Sequence, residues 1–368
     1  MEAPGDDSTP RGGGPRLAVV GATGAVGSDL LGVLSVREQV WGEVRLFASD
    51  ASEGQVRYVC GEDVAVERLS PEAFDDVDVA IFAVPPQVSQ EWAPVAVERG
   101  VIVIDDSPAF RMDPDVPLVV SNLNGAQSRN RPRGIIANPN CTVLTLMDAL
   151  SSLHFGWELD QLVVATYQAA SGVGRAGAAR LYREIEVLAG QGNVGVDAGG
   201  VRRRLQAATS DEPPSPFPGP LAFNVLPWAG EEVGDGWSTE EVRLREETRK
   251  VLGLRDLKVS ATCVRVPVVR GHSMVVHATF RSPITVGQAR KALMEAPSVV
   301  LLDDPLHGEW PTPADIASSD PTFVGRVRQA PDFPHTLDLF VCGDNLRKGG
   351  ALNSAQIGEL VVAELRHG

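Results

Sequence analysis

The stretch RLAVVGATGAVGSDLLGVL, residues 16–34, constrains the fold more than any other part of the chain. An apolar run ends at Gly21, two further glycines follow at Gly24 and Gly27, and Leu30, Leu31 and Leu34 then recur at helical spacing. This is the pattern of a buried strand, a glycine turn and an amphipathic helix. Further short apolar runs follow in EVRLFAS, VDVAIFAV, GVIVIDD, PLVVS and RGIIA, separated by helix-sized mixed segments such as PQVSQEWAPVAVERG. Strands that are apolar throughout and alternate with helices predict a mostly parallel, doubly wound α/β sheet covered on both faces.

At 368 residues the chain exceeds the size at which one core usually stops growing, so two domains are expected. After Cys141 the strand candidates lengthen and alternate (LDQLVVATYQAAS, LKVSATCVRVPVV, SMVVHATFRS, HTLDLFVCG), as in a mixed, largely antiparallel sheet with one covered face. Two amphipathic helices interrupt them, one carrying Leu181, Ile185 and Leu188, the other starting at STEEVRLREETRKVL, and SDEPPSPFPGP between them is a loop. The expected boundaries are a disordered tail over 1–15, a dinucleotide-binding domain over 16–140 completed by a C-terminal segment 345–368, and a second domain over 141–344. In that last segment Ile357, Leu360, Val361 and Leu365 lie at helical spacing, for packing back on the first domain.

A formal charge of −15 repels nucleic acid and acidic membrane surfaces, which leaves a small-molecule partner. No apolar run approaches the roughly 20 residues that cross a bilayer, so a cytoplasmic location is expected. The four cysteines are scattered without CxxC spacing, so reduced thiols and no metal site are expected.

In GATGAVG the glycines let the backbone approach a pyrophosphate, whose charge amide hydrogens at a helix N-terminus then hold. Downstream, LFASDASEG ends the second strand candidate, where an adenosine ribose would lie. It offers Asp50 with Ser49 and Ser52 and no basic residue, an arrangement suited to a ribose diol or simply to a turn.

A lone cysteine is usually a small buried hydrophobe, but Cys141 begins a helical pattern (Val143, Met147, Leu150) directly after Asn138, Pro139 and Asn140. A thiol there feels the positive end of the helix dipole. In CVRVPVVRGHS, Arg265 falls on the same strand side as Val259, Ala261 and Cys263, so it must find an anion, and His272 sits at a glycine turn. TYQAASG places Gln168 near a strand end followed by small residues.

Together GATGAVG, NPNCTV, ATYQAASGVG, AFNVLP, CVRVPVVRGHS and GDNLRKGGALNSAQI, in this order across residues 16–366, resemble the aspartate-semialdehyde dehydrogenase family. The resemblance implies a Rossmann-type domain and an α/β catalytic and dimerisation domain, in a homodimer or a homotetramer. It implies reversible reductive dephosphorylation of L-aspartyl 4-phosphate with NADPH, on the route to lysine, threonine and methionine. By the same resemblance Cys141 is the nucleophile, His272 the acid/base that takes and returns the thiol proton near neutral pH, and Gln168 and Asn140 assist the acyl intermediate. Arg265 clamps the substrate α-carboxylate, Glu240 meets its ammonium, and Arg111 and Arg243 bind phosphate. Gly21, Thr23, Gly24, Ala25, Val26, Gly27, Ser49, Ser52, Gly172 and Asn345 serve the cofactor.

The chain departs from the family pattern at Asp50 and Ala51, where NADP-using members have a basic residue, so NAD is an alternative cofactor. Other departures are Pro85 and Pro86 in place of a glycine pair, DDSP at 105–108, Asn122, and Arg243 in place of a lysine. Two alternatives to the leading activity are a paralogue acting on another acyl phosphate or thioester, such as N-acetylglutamyl phosphate, and a non-catalytic binding subunit.

Overall fold

A computed structural model describes residues 13–37 and 39–367. The tail expected over 1–15 therefore lies outside the described residues as far as Gly12. The chain divides into two units, one running up to Pro139 and resuming at Ala351, the other spanning Asn140–Gly350.

In the first unit β1 (Arg16–Val20), β2 (Glu43–Ala48), β3 (Val56–Val59), β4 (Glu62–Arg68), β5 (Val79–Phe82), β6 (Ile102–Asp105) and β7 (Ile135–Ala137) form one sheet in the order β3-β4-β2-β1-β5-β6-β7. Every pairing is parallel except the β3–β4 hairpin. Leu17, Val19, Val79 and Ile81 are fully buried because helices cover both faces. Those helices include α1 (Ala25–Ser35) and α2 (Pro86–Glu98), with the short α3 (Ser121–Asn124) farther along. The predicted strand PLVVS makes only an isolated bridge, Leu118 to Ala137, since α3 starts at Ser121 and cuts the run short. The β3–β4 hairpin carries no buried alternation that periodicity could detect; it turns through Cys60 and Gly61, both at positive φ.

The second unit contains α4 (Cys141–Trp157), β8 (Leu159–Gln168), α5 (Gly174–Leu188), α6 (Gly200–Ala208), α7 (Thr239–Leu252), β9 (Lys258–Arg265) and β10 (His272–Phe280). It continues with α8 (Val286–Glu295), β11 (Val299–Leu301), α9 (Pro313–Ile316), β12 (Thr322–Gln329) and β13 (Thr336–Gly343). Its sheet runs β11-β12-β13-β10-β8-β9 and is mixed, with parallel pairing only for β8–β9 and β11–β12. Residues 345–350, expected with the dinucleotide-binding part, belong to this unit because Asn345 and Lys348 bond there.

The chain returns to the first unit as α10 (Leu352–His367). Ile357 and Val361 enter the core with Leu30, Leu34 and Trp41, while Leu360 and Leu365 lie largely at the surface. Polar contacts also anchor α10: Asn353 Nδ2 donates to the Val119 carbonyl at 2.8 Å and the Ser354 hydroxyl donates to Asp106 Oδ1. Asp106 also accepts from Asn138 Nδ2 at 2.6 Å, yet its Oδ2 is sealed and unpartnered. Burial raises this carboxyl to about 6, from 3.8.

Two measurements test this packing. A Cβ at Gly27 would lie 2.1 Å from the Gly21 carbonyl oxygen, backbone that cannot turn aside. Gly27→Ala should therefore lose about 1–3 kcal/mol in urea unfolding; an unchanged midpoint rejects the contact. Between pH 4 and 6 folded Asp106 keeps a proton that the unfolded chain releases, so its contribution to stability falls as pH rises through about 6. Asp106→Asn should gain on wild type by roughly 1–3 kcal/mol across that window; parallel curves would show that Asp106 does not titrate there.

Candidate active site

In the second unit the site gathers where three strands end beside one helix start. β8 and β9 run parallel with Gln168 paired to Arg265, and β10 begins at His272 next to the end of β8. Cys141 is the first residue of α4, and Asn140 caps it: Asn140 Oδ1 accepts from the Thr142 amide at 2.9 Å. The Asn140 amide nitrogen donates to Glu247 Oε2 at 2.6 Å, and its Nδ2 donates to Glu240 Oε2 at 3.1 Å. Asn140 is thus held at backbone and side chain by two carboxylates of α7.

These bonds fix the sulfur. Cys141 Sγ lies 3.4 Å from His272 Nε2 and is partly exposed. The other ring nitrogen, Nδ1, accepts from the Ala169 amide at 3.0 Å. A neutral imidazole has one N–H, so this bond assigns the hydrogen to Nε2, which points it at the sulfur. Burial and the neighbouring Arg265 charge hold His272 well below the ordinary imidazole range. Burial and the Arg265 charge both disfavour the imidazolium that a histidine taking the thiol proton near neutrality would have to form. Two other thiols make the contrast. Burial pushes Cys263 up to about 12 and Cys342 up to about 11, as inert structural residues.

Arg265 is buried, donates from Nη1 to the Ala169 carbonyl at 2.8 Å, and among the described residues has no carboxylate at ion-pair distance. Its planar fork keeps capacity for an anion. Gln168 is likewise buried, and its Nε2 has no hydrogen-bond partner. Polar groups left so are expensive unless a ligand completes them. Arg243 donates to Glu240 Oε1 at 2.7 Å, one turn along α7. Gly172 lies against this cluster, since a Cβ there would fall 2.5 Å from Arg265 Nη1 and 3.2 Å from His272 Cε1. Asn345 spends its amide within the unit, accepting from the Gly271 amide at 2.8 Å and donating to the Ser171 hydroxyl at 3.0 Å.

Two features of this site carry no signal in the sequence pattern. Glu247 and its grip on Asn140 span 107 positions. A Cβ at Gly349 would meet Cys141 Cβ at 2.7 Å, and the adjacent Lys348 forms a buried ion pair with Asp148 on α4.

In the first unit the glycine turn fits a dinucleotide pyrophosphate. Gly21 has φ +91°, and a Cβ there would strike the Ala83 carbonyl at 2.3 Å. Gly24 precedes Ala25 and Val26 at the start of α1, which has neither a side-chain cap nor an acid in its first turn. Its leading amides are thus available to an anion. Thr23 Oγ1 lies 3.1 Å from Ser52 Oγ, while Ser49 precedes the short turn Asp50–Ser52. Pro85 and Pro86 open α2, where a missing N–H costs least. Arg111 is buried here, donating from Nε to the Asn138 carbonyl at 2.8 Å and from Nη2 to the Asp106 carbonyl at 2.6 Å. Asp105 accepts from Ser89 and Ser107.

Comparison with known proteins agrees with this division. Residues 16–131 match the family model described as the semialdehyde dehydrogenase NAD binding domain, and residues 150–348 match the semialdehyde dehydrogenase dimerisation domain. The aspartate-semialdehyde dehydrogenase of Streptomyces akiyoshiensis is 43% identical over 353 residues, covering 95% of this chain and 99% of the relative. That of Mycolicibacterium smegmatis is 42% identical over 359 residues, with 95% and 99% covered. Among solved structures, aspartate semialdehyde dehydrogenase II of Vibrio cholerae, complexed with ASA, superposes with a TM-score of 0.86 at 34% identity, covering 95% of this chain and 99% of that one. With two family models in register and relatives matched over nearly their whole length, the chain belongs to the aspartate-semialdehyde dehydrogenase family.

Proposed function

We propose that this chain interconverts L-aspartyl 4-phosphate and L-aspartate 4-semialdehyde, reversibly, through a thioester on Cys141. The observation that carries the reading is the sulfur at the start of α4, 3.4 Å from His272 Nε2. The helix dipole and the Nε2 hydrogen both favour a thiolate, whose proton goes to solvent. In the biosynthetic direction the thiolate attacks the acyl carbon, the carbon–oxygen bond to phosphate breaks, and phosphate leaves. Nε2–H keeps its hydrogen throughout and donates a hydrogen bond to the sulfur both before attack and when the carbon–sulfur bond breaks.

Arg265 would receive the substrate α-carboxylate on its unfilled fork. Glu240 would meet the ammonium, Gln168 Nε2 the acyl oxygen, and Arg243 and Arg111 the phosphate. A nicotinamide dinucleotide would be held at Gly21, Thr23, Gly24, Ala25, Val26 and Gly27, with Ser49 and Ser52 toward its adenosine end, and would supply hydride to the thioester carbon. Gly172 supports this arrangement by leaving room beside Arg265 and His272, and Asn345 by holding the turn at Ser171. The dimerisation-domain description of residues 150–348 supports a homodimer, alone or paired into a tetramer.

Phosphate-dependent oxidation of aspartate semialdehyde, followed by nicotinamide absorbance, tests the covalent step. Cys141→Ser should fold normally and lose at least about 10³-fold in kcat; a retained rate overturns the thioester. Alkylation of Cys141 by iodoacetamide should rise with pH through a single ionisation, because His272 stays neutral across the range. A second inflection near the ordinary imidazole value would return the proton-accepting role to His272.

A further inference from the structure

The cofactor reading leaves the adenosine end undecided, because Asp50 and Ala51 stand where a basic side chain would neutralise a 2′-phosphate. The fold supplies a cation from another strand. β4 runs parallel to β2 in a register that pairs Leu46 with Val66, Phe47 with Glu67 and Ala48 with Arg68. Arg68 therefore leaves the sheet beside the end of β2. Its Nε lies 3.2 Å from Asp50 Oδ1, and the two side chains are 65% and 72% exposed. Ser52, two residues after Asp50, meets Thr23 of the glycine turn. The ion pair, the short turn and the glycine turn consequently follow one another along the edge outside the carboxyl ends of the strands. In open α/β sheets that edge binds the dinucleotide, with the adenosine ribose at the end of the second strand.

We infer that Arg68 is the residue that receives the 2′-phosphate of NADP and so makes NADP the preferred cofactor despite Asp50. The inference rests on the reading above that the glycine turn holds a nicotinamide dinucleotide. An exposed ion pair contributes little to stability, so turning the guanidinium from carboxylate to phosphate costs little. The phosphate offers it two charge-assisted hydrogen bonds in the planar geometry that arginine matches. Without Arg68, the carboxylate of Asp50 would repel the phosphate unopposed. NAD carries no such phosphate, and its ribose hydroxyls can donate to Asp50 directly.

Titration calorimetry of the full chain with NADP, NAD and 2′,5′-ADP separates the possibilities. Arg68→Ala should weaken NADP and 2′,5′-ADP by about tenfold or more while leaving NAD within about twofold. Arg68→Lys should recover part of the loss, and Asp50→Ala should raise NADP affinity relative to NAD. Unchanged NADP affinity in Arg68→Ala, or an equal loss for both dinucleotides, overturns the assignment while the dinucleotide reading stands. Failure of the wild-type chain to bind either dinucleotide overturns both.

Discussion

The start of α4 is the point on which the chemistry depends. A helix N-terminus places its first residue only as well as the preceding residue is held, and here Asn140 is held three ways. Its amide is bound by Glu247, its side-chain amide by Glu240, and its side-chain oxygen caps Thr142. All three bonds converge on the residue before the sulfur. Carboxylates buried this way are costly unless hydrogen-bonded, so their presence makes sense as a means of positioning rather than of stabilising. One consequence is that the helix α7 that anchors the start of α4 also carries Glu240 and Arg243, the residues proposed to meet substrate.

The backbone and Cβ of Cys141 pack against the 344–350 segment. Asp344 is fully buried and accepts from the amides of Leu346 and Arg347, each at 2.9 Å, and from Arg270 Nε at 2.5 Å. That knot presents Gly349 to Cys141 and Lys348 to Asp148. A side chain at 349 would push the thiol off its contact with His272. The imidazole is fixed in turn by the Ala169 amide, which decides both ring orientation and tautomer. The start of α4 is therefore set by side-chain carboxylates acting through Asn140, and the imidazole by a backbone amide.

Departures from the family pattern acquire physical meaning once neighbours are known. The proline pair at 85–86 occupies the start of α2, where two donors are dispensable. Asp106, in the DDSP run, is a buried carboxyl that keeps its proton to about 6, tied to Asn138 and to Ser354 of α10. Asp50 is opposed by Arg68, so the charge at the end of β2 is a pair rather than a lone carboxylate.

Much of the fold and part of the site were legible in the sequence because they rest on local rules. The strand–turn–helix at 16–34, the buried parallel strands, the helix beginning at Cys141 and the return of α10 all follow from periodicity, glycine spacing and helix-start chemistry. Arg265 on an apolar strand face also announced itself, as a charge that needs an anion. Nothing local could reveal that Glu247 holds Asn140 from 107 positions away, or that His272 meets Cys141 across 131. Nor could it reveal that the weakly patterned β3–β4 hairpin sets Arg68 against Asp50, or that one backbone amide decides which imidazole nitrogen carries hydrogen. Strand register and cross-element hydrogen bonds depend on which surfaces pack together. One chain's periodicity specifies the faces of its elements, but only tertiary packing decides which residues meet across them.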